Sequence, residues 1–391
     1  MDNPSTAWTD RTTLDLTGLR VTLSDPVLVR RTRRFCWFPS LIRLDGGDLY
    51  ACISPVGDVH VPSSPVHLAR SGDGGLTWDE PRLLMDAGLS HVSLPDGSAL
   101  MLPYYLRPRA GGMGASANRI LPGGEVQFLT GAVTVTGWDR PSRSYAEELG
   151  LSGFVFNGQS VASTEGGWMT TLYGYFEGDS RYSLVWAESS DGFKWTIRSL
   201  IAGSDCPLEG PEGPCESAIC RLADGRILCV FRNGSFVPYG QVWSADEGRT
   251  WSAPVALAAQ SVEPSLQALP SGVVALSGGR PGIFIWFSAE GQGTDWQPVD
   301  VVAHHNACRP AADAIDPDSR RIDCSSEEML RQGRGGYSSC YTELIRLDDR
   351  HLLLIYDRLG LSWQAIPDRS EATNSVWVVR IRVDKNSGGL T

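Results

Sequence analysis

The octapeptide SGDGGLTW, Ser71 to Trp78, recurs along the chain as SSDGFKW from Ser189, SADEGRTW from Ser244 and a degenerate SAEGQGTDW from Ser288. Each copy follows an apolar run: VHLAR, YSLVW, GQVW or IFIWF. A turn that returns together with its preceding strand restricts the chain to architectures built from copies of one supersecondary unit. The pattern Ser-x-Asp-x-Gly-x-x-Trp is explained by folding alone. Its Asp can accept backbone N–H groups of its own turn, its Gly supplies a positive φ, and its Trp folds back over apolar side chains.

A second element repeats upstream of the turn: FPSLIRLDGGDLYACI, ESAICRLADGRILCVF, EPSLQALPSGVVALSG and YTELIRLDDRHLLLIY. Each reads as an alternating strand, a Gly/Asp turn and a second apolar strand, and the octapeptide then joins strands three and four. Weaker copies around HVSLPDGSALMLPYY and NGQSVASTEGGWMTTLYGYF bring the units to six. The fold class expected is all-β, a six-bladed β-propeller of four-stranded antiparallel sheets forming one domain over residues 1–391. Pairing of VTLSDPVLV with the late strand SVWVVRIRV would close the ring and leave no long sheet edge exposed. Trp78, Trp195 and Trp251 should be buried at blade edges. Insertions are expected at about residues 105–150, containing RPRAGGMGASANRI, and at 304–336, the loops that commonly rim a pocket.

Composition narrows the partners. A formal charge of −11 without a Lys/Arg-rich run argues against nucleic acid. No apolar stretch is long enough to cross a membrane as a helix. Nine cysteines without CxxC pairs give no zinc pattern and no disulfide framework, so free, buried thiols are expected. With an N-terminus, MDNPSTAWTDRTTLDL, that has no apolar signal core, this favours the cytoplasm. No metal site or cofactor is expected, and nothing specifies the oligomeric state.

In a propeller, function belongs to the residues that open the innermost strands, because these converge on the axis. Aligning the hairpins makes Phe38, Asn157, Glu216, Glu263 and Tyr341 equivalent. Carboxylates on a crowded axis need partners or a task.

From about Phe35 to Val383 the sequence resembles the sialidase (neuraminidase) superfamily, whose six-bladed propellers carry such Asp-box turns away from the active site. The resemblance implies a retaining, exo-acting glycoside hydrolase that cleaves a terminal, acidic sugar from a glycan or small glycoside. In that family a tyrosine of the last blade is the nucleophile and a glutamate its base. Tyr341 in YTELIRLDD and Glu216 in ESAICRLADGR match them. Asp58 in SPVGDVHVPSS matches the acid that protonates the leaving group. Arg232 in CVFRNG and Arg280 in LSGGRPG match two of the three arginines that grip the substrate carboxylate. Trp37 stands where the first should be, with Arg34 (or Arg33) the nearest cation able to replace it. Tyr104, Asn157 and Tyr337 complete the expected substrate contacts.

Three other readings remain open. Glu216 and Glu263 could form a two-carboxylate machine on a neutral sugar, as in exo-arabinanase-like propellers, with carboxyl groups roughly 5–5.5 Å apart. Tyr341 could serve as the base of a polysaccharide lyase with His60 or His91. The ring could also be a non-catalytic glycan-binding propeller.

Overall fold

All six hairpins close on one turn. The residue that follows the inner strand donates its N–H to the carbonyl four residues on: Leu44 to Asp48 (2.9 Å), Leu94 to Ser98 (2.7 Å), Ser163 to Gly167 (3.0 Å), Leu222 to Arg226 (2.8 Å), Leu269 to Val273 (2.8 Å) and Leu347 to His351 (2.8 Å). In the first five a glycine takes the left-handed position, with φ between 78° and 94° (Gly97, Gly47).

The computed structural model describes residues 7–137, 140–260, 262–316, 337–361, 366–367 and 369–386. These hairpins grow into six blades around an axis. Blade one comprises Trp37–Arg43, Leu49–Ser54, Val66–Ser71 and Arg82–Leu84. Blade two comprises His91–Ser93, Ala99–Met101, Gly112–Ile120 and Val126–Thr136. Blade three has an interrupted inner strand, Phe154–Phe156 and Val161–Ala162, followed by Trp168–Gly174, Ser183–Ser189 and Lys194–Ala202. Blade four comprises Ser217–Arg221, Ile227–Phe231, Pro238–Ser244 and Val255–Gln260, and blade five Ser265–Ala268, Val274–Gly279, Ile283–Ser288 and Trp296–Asp300. In blade six, Thr342–Arg346, His351–Arg358 and Asn374–Lys385 are completed by Leu19–Ser24 from the start of the chain, paired Leu23 to Ile381. Val27–Thr32 pairs further along the same edge, Val27 to Val378, so the expected closure forms.

Continuous apolar runs follow from burial on both faces of each blade. Along the second strand of blade four, Ile227, Cys229 and Phe231 pack towards blade three, while Leu228 and Val230 pack towards blade five. In blade six, Leu352, Leu354 and Tyr356 face blade five, and Leu353 and Ile355 face blade one. The core is thus distributed over the interfaces between neighbouring blades, each strand serving two of them through its two-residue period.

The repeated turns bond as their chemistry predicts. Asp73 accepts the N–H groups of Leu76 (3.0 Å) and Thr77 (2.9 Å), and the Trp78 indole donates to the Gly75 carbonyl at 3.0 Å. Trp195 and Trp251 repeat that bond to Gly192 and Gly248. Trp195 is fully buried, whereas Trp78 and Trp251 are only half-buried. In the degenerate copy Asp295 has moved next to the Trp, yet it still accepts from the Ser288 hydroxyl and the Ala289 N–H.

Two expectations about insertions change. Gly112–Ile120 and Val126–Thr136 are the third and fourth strands of blade two, paired Asn118 to Met101 and Asn118 to Phe128. Small and polar residues in GMGASANRI hide a strand that has limited apolar burial. The second segment opens as an α-helix, Val301–Cys308, capped by Asp300, whose carboxylate accepts the Ala303 N–H. Residues 317–336 lie outside the described residues, as does Cys324; the eight described cysteines are free thiols.

Candidate active site

Antiparallel pairing puts the starts of the inner strands and the ends of the second strands at one end of the ring, opposite the repeated turns. A cavity of about 460 Å³ opens there. Asp58 and His60 enter it from blade one, Tyr104 from blade two, Asn157 from blade three, Glu216 and Arg232 from blade four and Tyr341 from blade six.

Its centre is a three-residue knot. The Tyr341 hydroxyl donates to Glu216 Oε1. Arg232 Nη1 donates to the same Glu216 oxygen at 2.7 Å and to the Tyr341 hydroxyl at 3.0 Å. The Glu263 main-chain N–H donates to the other Glu216 oxygen at 3.1 Å. Burial alone would raise the Glu216 pKa, but the Arg232 charge and these hydrogen bonds outweigh it and hold the carboxyl below the usual glutamate value. Burial and the neighbouring Glu216 charge push the Tyr341 phenol well above its ordinary value, against the pull of Arg232 and Arg280. Asp58 sits at the open mouth of the cavity. The surrounding protein and the Glu216 charge raise its pKa, while Arg280 and Arg232 oppose the rise.

Buried Asp357 sets the direction of Tyr341. It accepts from the Ser338 hydroxyl (2.8 Å), the Ser339 N–H (2.7 Å) and hydroxyl, and the Phe38 N–H (3.2 Å). Phe38 then packs against Tyr341 with ring centroids 4.5 Å apart and the ring planes tilted by 57°. Phe38, Glu263 and Cys340 all hold left-handed backbone, with φ of 46°, 36° and 65°, a strained conformation concentrated where the inner strands begin.

Several sequence expectations are corrected. Trp37 does not reach the cavity: it is 2% exposed, donates its indole N–H to the Val56 carbonyl at 2.7 Å, and stacks behind Phe38. Tyr337 is packed beside it with Leu359 and Leu361, outside the cavity lining. Arg34 is solvent-exposed, away from the cavity, and its carbonyl accepts from Asn374. Arg280 lies behind Tyr341, 1% exposed, donating to the Ser235 hydroxyl (3.0 Å) and the Ser339 carbonyl (2.8 Å). It lends positive charge to the site without a surface for substrate.

Glu263 is absent from the lining of this cavity and lines a separate axial opening at the opposite end, with His91 and Glu343, although its carboxyl stays close enough to Glu216 to feel that charge. The Asn157 amide, oriented nitrogen-inward, donates to both Glu263 oxygens at 2.8 and 3.2 Å. Burial and the Glu216 and Glu343 charges push Glu263 well above the ordinary value, towards its neutral form. His91 therefore cannot serve Tyr341, whereas His60 does line the cavity and contacts the Tyr105 hydroxyl at 3.2 Å.

The sequence pointed to Tyr104 but not to Glu212 or to the three tyrosines that complete a wall beside it, Tyr145, Tyr173 and Tyr182. Tyr104 and Tyr173 share a hydroxyl bond of 2.8 Å, and Tyr145 and Tyr182 one of 3.0 Å. Tyr173 stands near the end of a strand of blade three and the other three lie in separate connecting segments, so no spacing announces them. Glu212 stands four residues before Glu216 in PEGPCE, and that proximity was its one available signal.

No protein-family model matches the chain, and no curated protein matches its sequence. Solved structures do match. A Dyadobacter fermentans protein of unknown function superposes with TM-score 0.67 at 16% identity over 94% of this chain and 100% of its own. An alpha-L-arabinanase of Penicillium chrysogenum gives 0.58 at 15% over 95% and 99%, and a Hadza microbial sialidase 0.59 at 14% over 92% and 68%. The chain shares its β-propeller fold with these structures. Identities this low establish the scaffold, and the chemistry has to be argued from the residues in the cavity.

Proposed function

We propose that the protein is a retaining glycoside hydrolase in which Tyr341 is the nucleophile, Glu216 its base and Asp58 the acid. The observation behind this reading is the Tyr341 to Glu216 hydrogen bond on the floor of an open cavity. A phenol with a raised pKa is a poor nucleophile, so its proton must leave as it attacks. Glu216 is ionised and in place to accept it. Negative charge then moves from Glu216 to the tyrosine oxygen, and Arg232 Nη1, bonded to both, stabilises it throughout.

In the first step Tyr341 Oη bonds to the anomeric carbon, its proton passes to Glu216, and the glycosidic oxygen leaves with the Asp58 proton. In the second, the Asp58 carboxylate takes a proton from water as that water attacks the anomeric carbon. Tyr341 departs and recovers its proton from Glu216. Inversion twice at one carbon retains its configuration.

A fold shared with a sialidase and an arabinanase supports sugar cleavage. A two-glutamate reading draws equal support from the fold and less from the site, since the Glu263 carboxyl accepts from Asn157 and Glu263 is not among the residues lining this cavity. A ring filled by packed side chains would favour a purely binding role, and the cavity argues against it. The test is a screen of chromogenic glycosides followed by trapping with a fluorinated glycosyl donor and peptide mapping. A label on Tyr341 is expected; a label on Glu216 or Glu263, or no turnover of any glycoside, overturns the reading.

A further inference from the structure

We infer that Glu212 is a specificity-determining residue: it occupies the guanidinium of Arg232 that would otherwise hold a substrate carboxylate, so the cavity takes an uncharged glycone. The inference rests on the proposed hydrolase reading for its functional meaning and on the charge geometry for its substance.

Among the described residues Arg232 is the arginine that lines the cavity, and its outward fork is full. Nη1 donates to Glu216 (2.7 Å) and to Tyr341 (3.0 Å). Nη2 donates to Glu212 Oε1 at 2.8 Å and to the Ser235 hydroxyl at 3.2 Å. Each terminal nitrogen has two protons, so all four are committed. Arg280 offers no alternative, being buried behind Tyr341 with both terminal nitrogens donating to protein.

Glu212 is held there by its backbone. Its N–H donates to the Asn233 carbonyl at 3.1 Å, and its carbonyl accepts from the Tyr182 N–H at 2.8 Å. Gly213 follows at φ 82°, and a Cβ there would lie 2.8 Å from the Tyr182 carbonyl oxygen, so the loop tolerates no side chain at that point. The Glu212 side chain is one-third exposed and lines the cavity a ligand would enter. An incoming carboxylate would have to displace Glu212 from Arg232 while meeting the negative charge of Glu216 and Glu212 together. Like charges brought this close in a partly desolvated site repel strongly. A neutral sugar meets hydroxyl groups of the tyrosine wall and no such repulsion.

The test compares wild type with Glu212→Gln, which keeps an oxygen able to accept from Arg232 and removes the charge. Binding of methyl arabinofuranoside and methyl galactoside is measured against N-acetylneuraminate and methyl glucuronide by calorimetry or ligand-observed NMR. Wild type should prefer the neutral sugars. Glu212→Gln should tighten the acidic ones by about tenfold or more, because the repelling charge is gone and a neutral amide yields Arg232 Nη2 more readily than a carboxylate does, with little change for the neutral ones. Tight binding of an acidic sugar by wild type, or no gain in the variant, overturns the inference. Turnover separates it from the hydrolase reading. Tyr341-dependent cleavage of a sialoside by wild type sinks the substrate class and leaves the hydrolase. A gain in acidic-sugar binding without turnover of any glycoside supports the role of Glu212 and sinks the hydrolase.

Discussion

Carboxylates at the repeated turns and carboxylates on the axis are the same chemical groups under opposite proton affinities. At the turn of blade four, Asp246 accepts the hydroxyl and N–H of Thr250 and the Ser244 hydroxyl, and these bonds hold its pKa down to about 2. On the axis, burial pushes Glu343 up to about 8, although the Leu41 N–H donates to it at 2.6 Å. Glu216 is the exception that explains the rule, since it stays ionised at the centre only because Arg232, Tyr341 and the Glu263 N–H converge on it. Water makes a lowered pKa inexpensive at the surface; at the axis a charge persists only with a partner.

The largest test of that contrast is to remove the paired charge. Glu216→Gln should reduce kcat/KM by about 10⁴-fold or more, and Tyr341→Phe should be similar, with the double variant scarcely worse because the two act as one unit. Urea midpoints within the usual scatter of wild type would show that chemistry, and not folding, was lost. Multiplicative losses in the double variant would break the pairing.

Asp58 comes next, with an expected loss of about 10²–10⁴-fold for Asp58→Asn on glycosides with poor leaving groups. Its raised pKa moves the loss of its proton to higher pH, so activity should decline on the alkaline side as Asp58 ionises, and on the acid side as Glu216 becomes protonated. In Asp58→Asn the alkaline limb should vanish from the kcat/KM profile, and dinitrophenyl glycosides should lose little. An unchanged profile would remove Asp58 from the mechanism.

For Glu343 the readout is stability. Between the ordinary glutamate value, near ~4.3, and about 8 the unfolded chain ionises while the folded chain stays neutral, so this group makes the fold less stable as pH rises through that window. Glu343→Gln should flatten that slope and stabilise the protein at pH 8 by on the order of 2–4 kcal/mol, seen in denaturation curves across pH.

Asp246 gives the smallest effect and the opposite sign. Its contribution is present above the ordinary aspartate value and is lost as pH falls towards 2. Asp246→Ala should cost about 1 kcal/mol at neutral pH through lost turn hydrogen bonds and leave kcat unchanged. A collapse of turnover with an unaltered melting temperature would reverse the assignment of these turns to structure.

The strands were legible because both faces of each blade are buried and every hairpin reuses one turn. Blade two was the hardest to read, where small residues replace the apolar run. Within the site, Asn157, Glu216 and Tyr341 were found by aligning hairpin ends, since position along a blade fixes distance from the axis, whereas Arg232 and Asp58 were pointed to by the family resemblance. Trp37 and Tyr337 were misplaced for a local reason. The left-handed residue Phe38 turns its own ring into the cavity and sends Trp37 behind it, and no composition or spacing encodes that reversal.

By itself, then, the sequence determined the repeating unit, the number of blades, the closure of the ring and that Glu216 and Glu263 approach the axis, because each is written in short-range periodicity and turn chemistry. Only the tertiary structure decided which of those carboxylates stays charged, which arginine faces the cavity, and that Glu212 already fills it. Those are properties of distances between blades four, five and six. Electrostatic energy depends on separation and burial, and neither is a property of a residue's place along the chain.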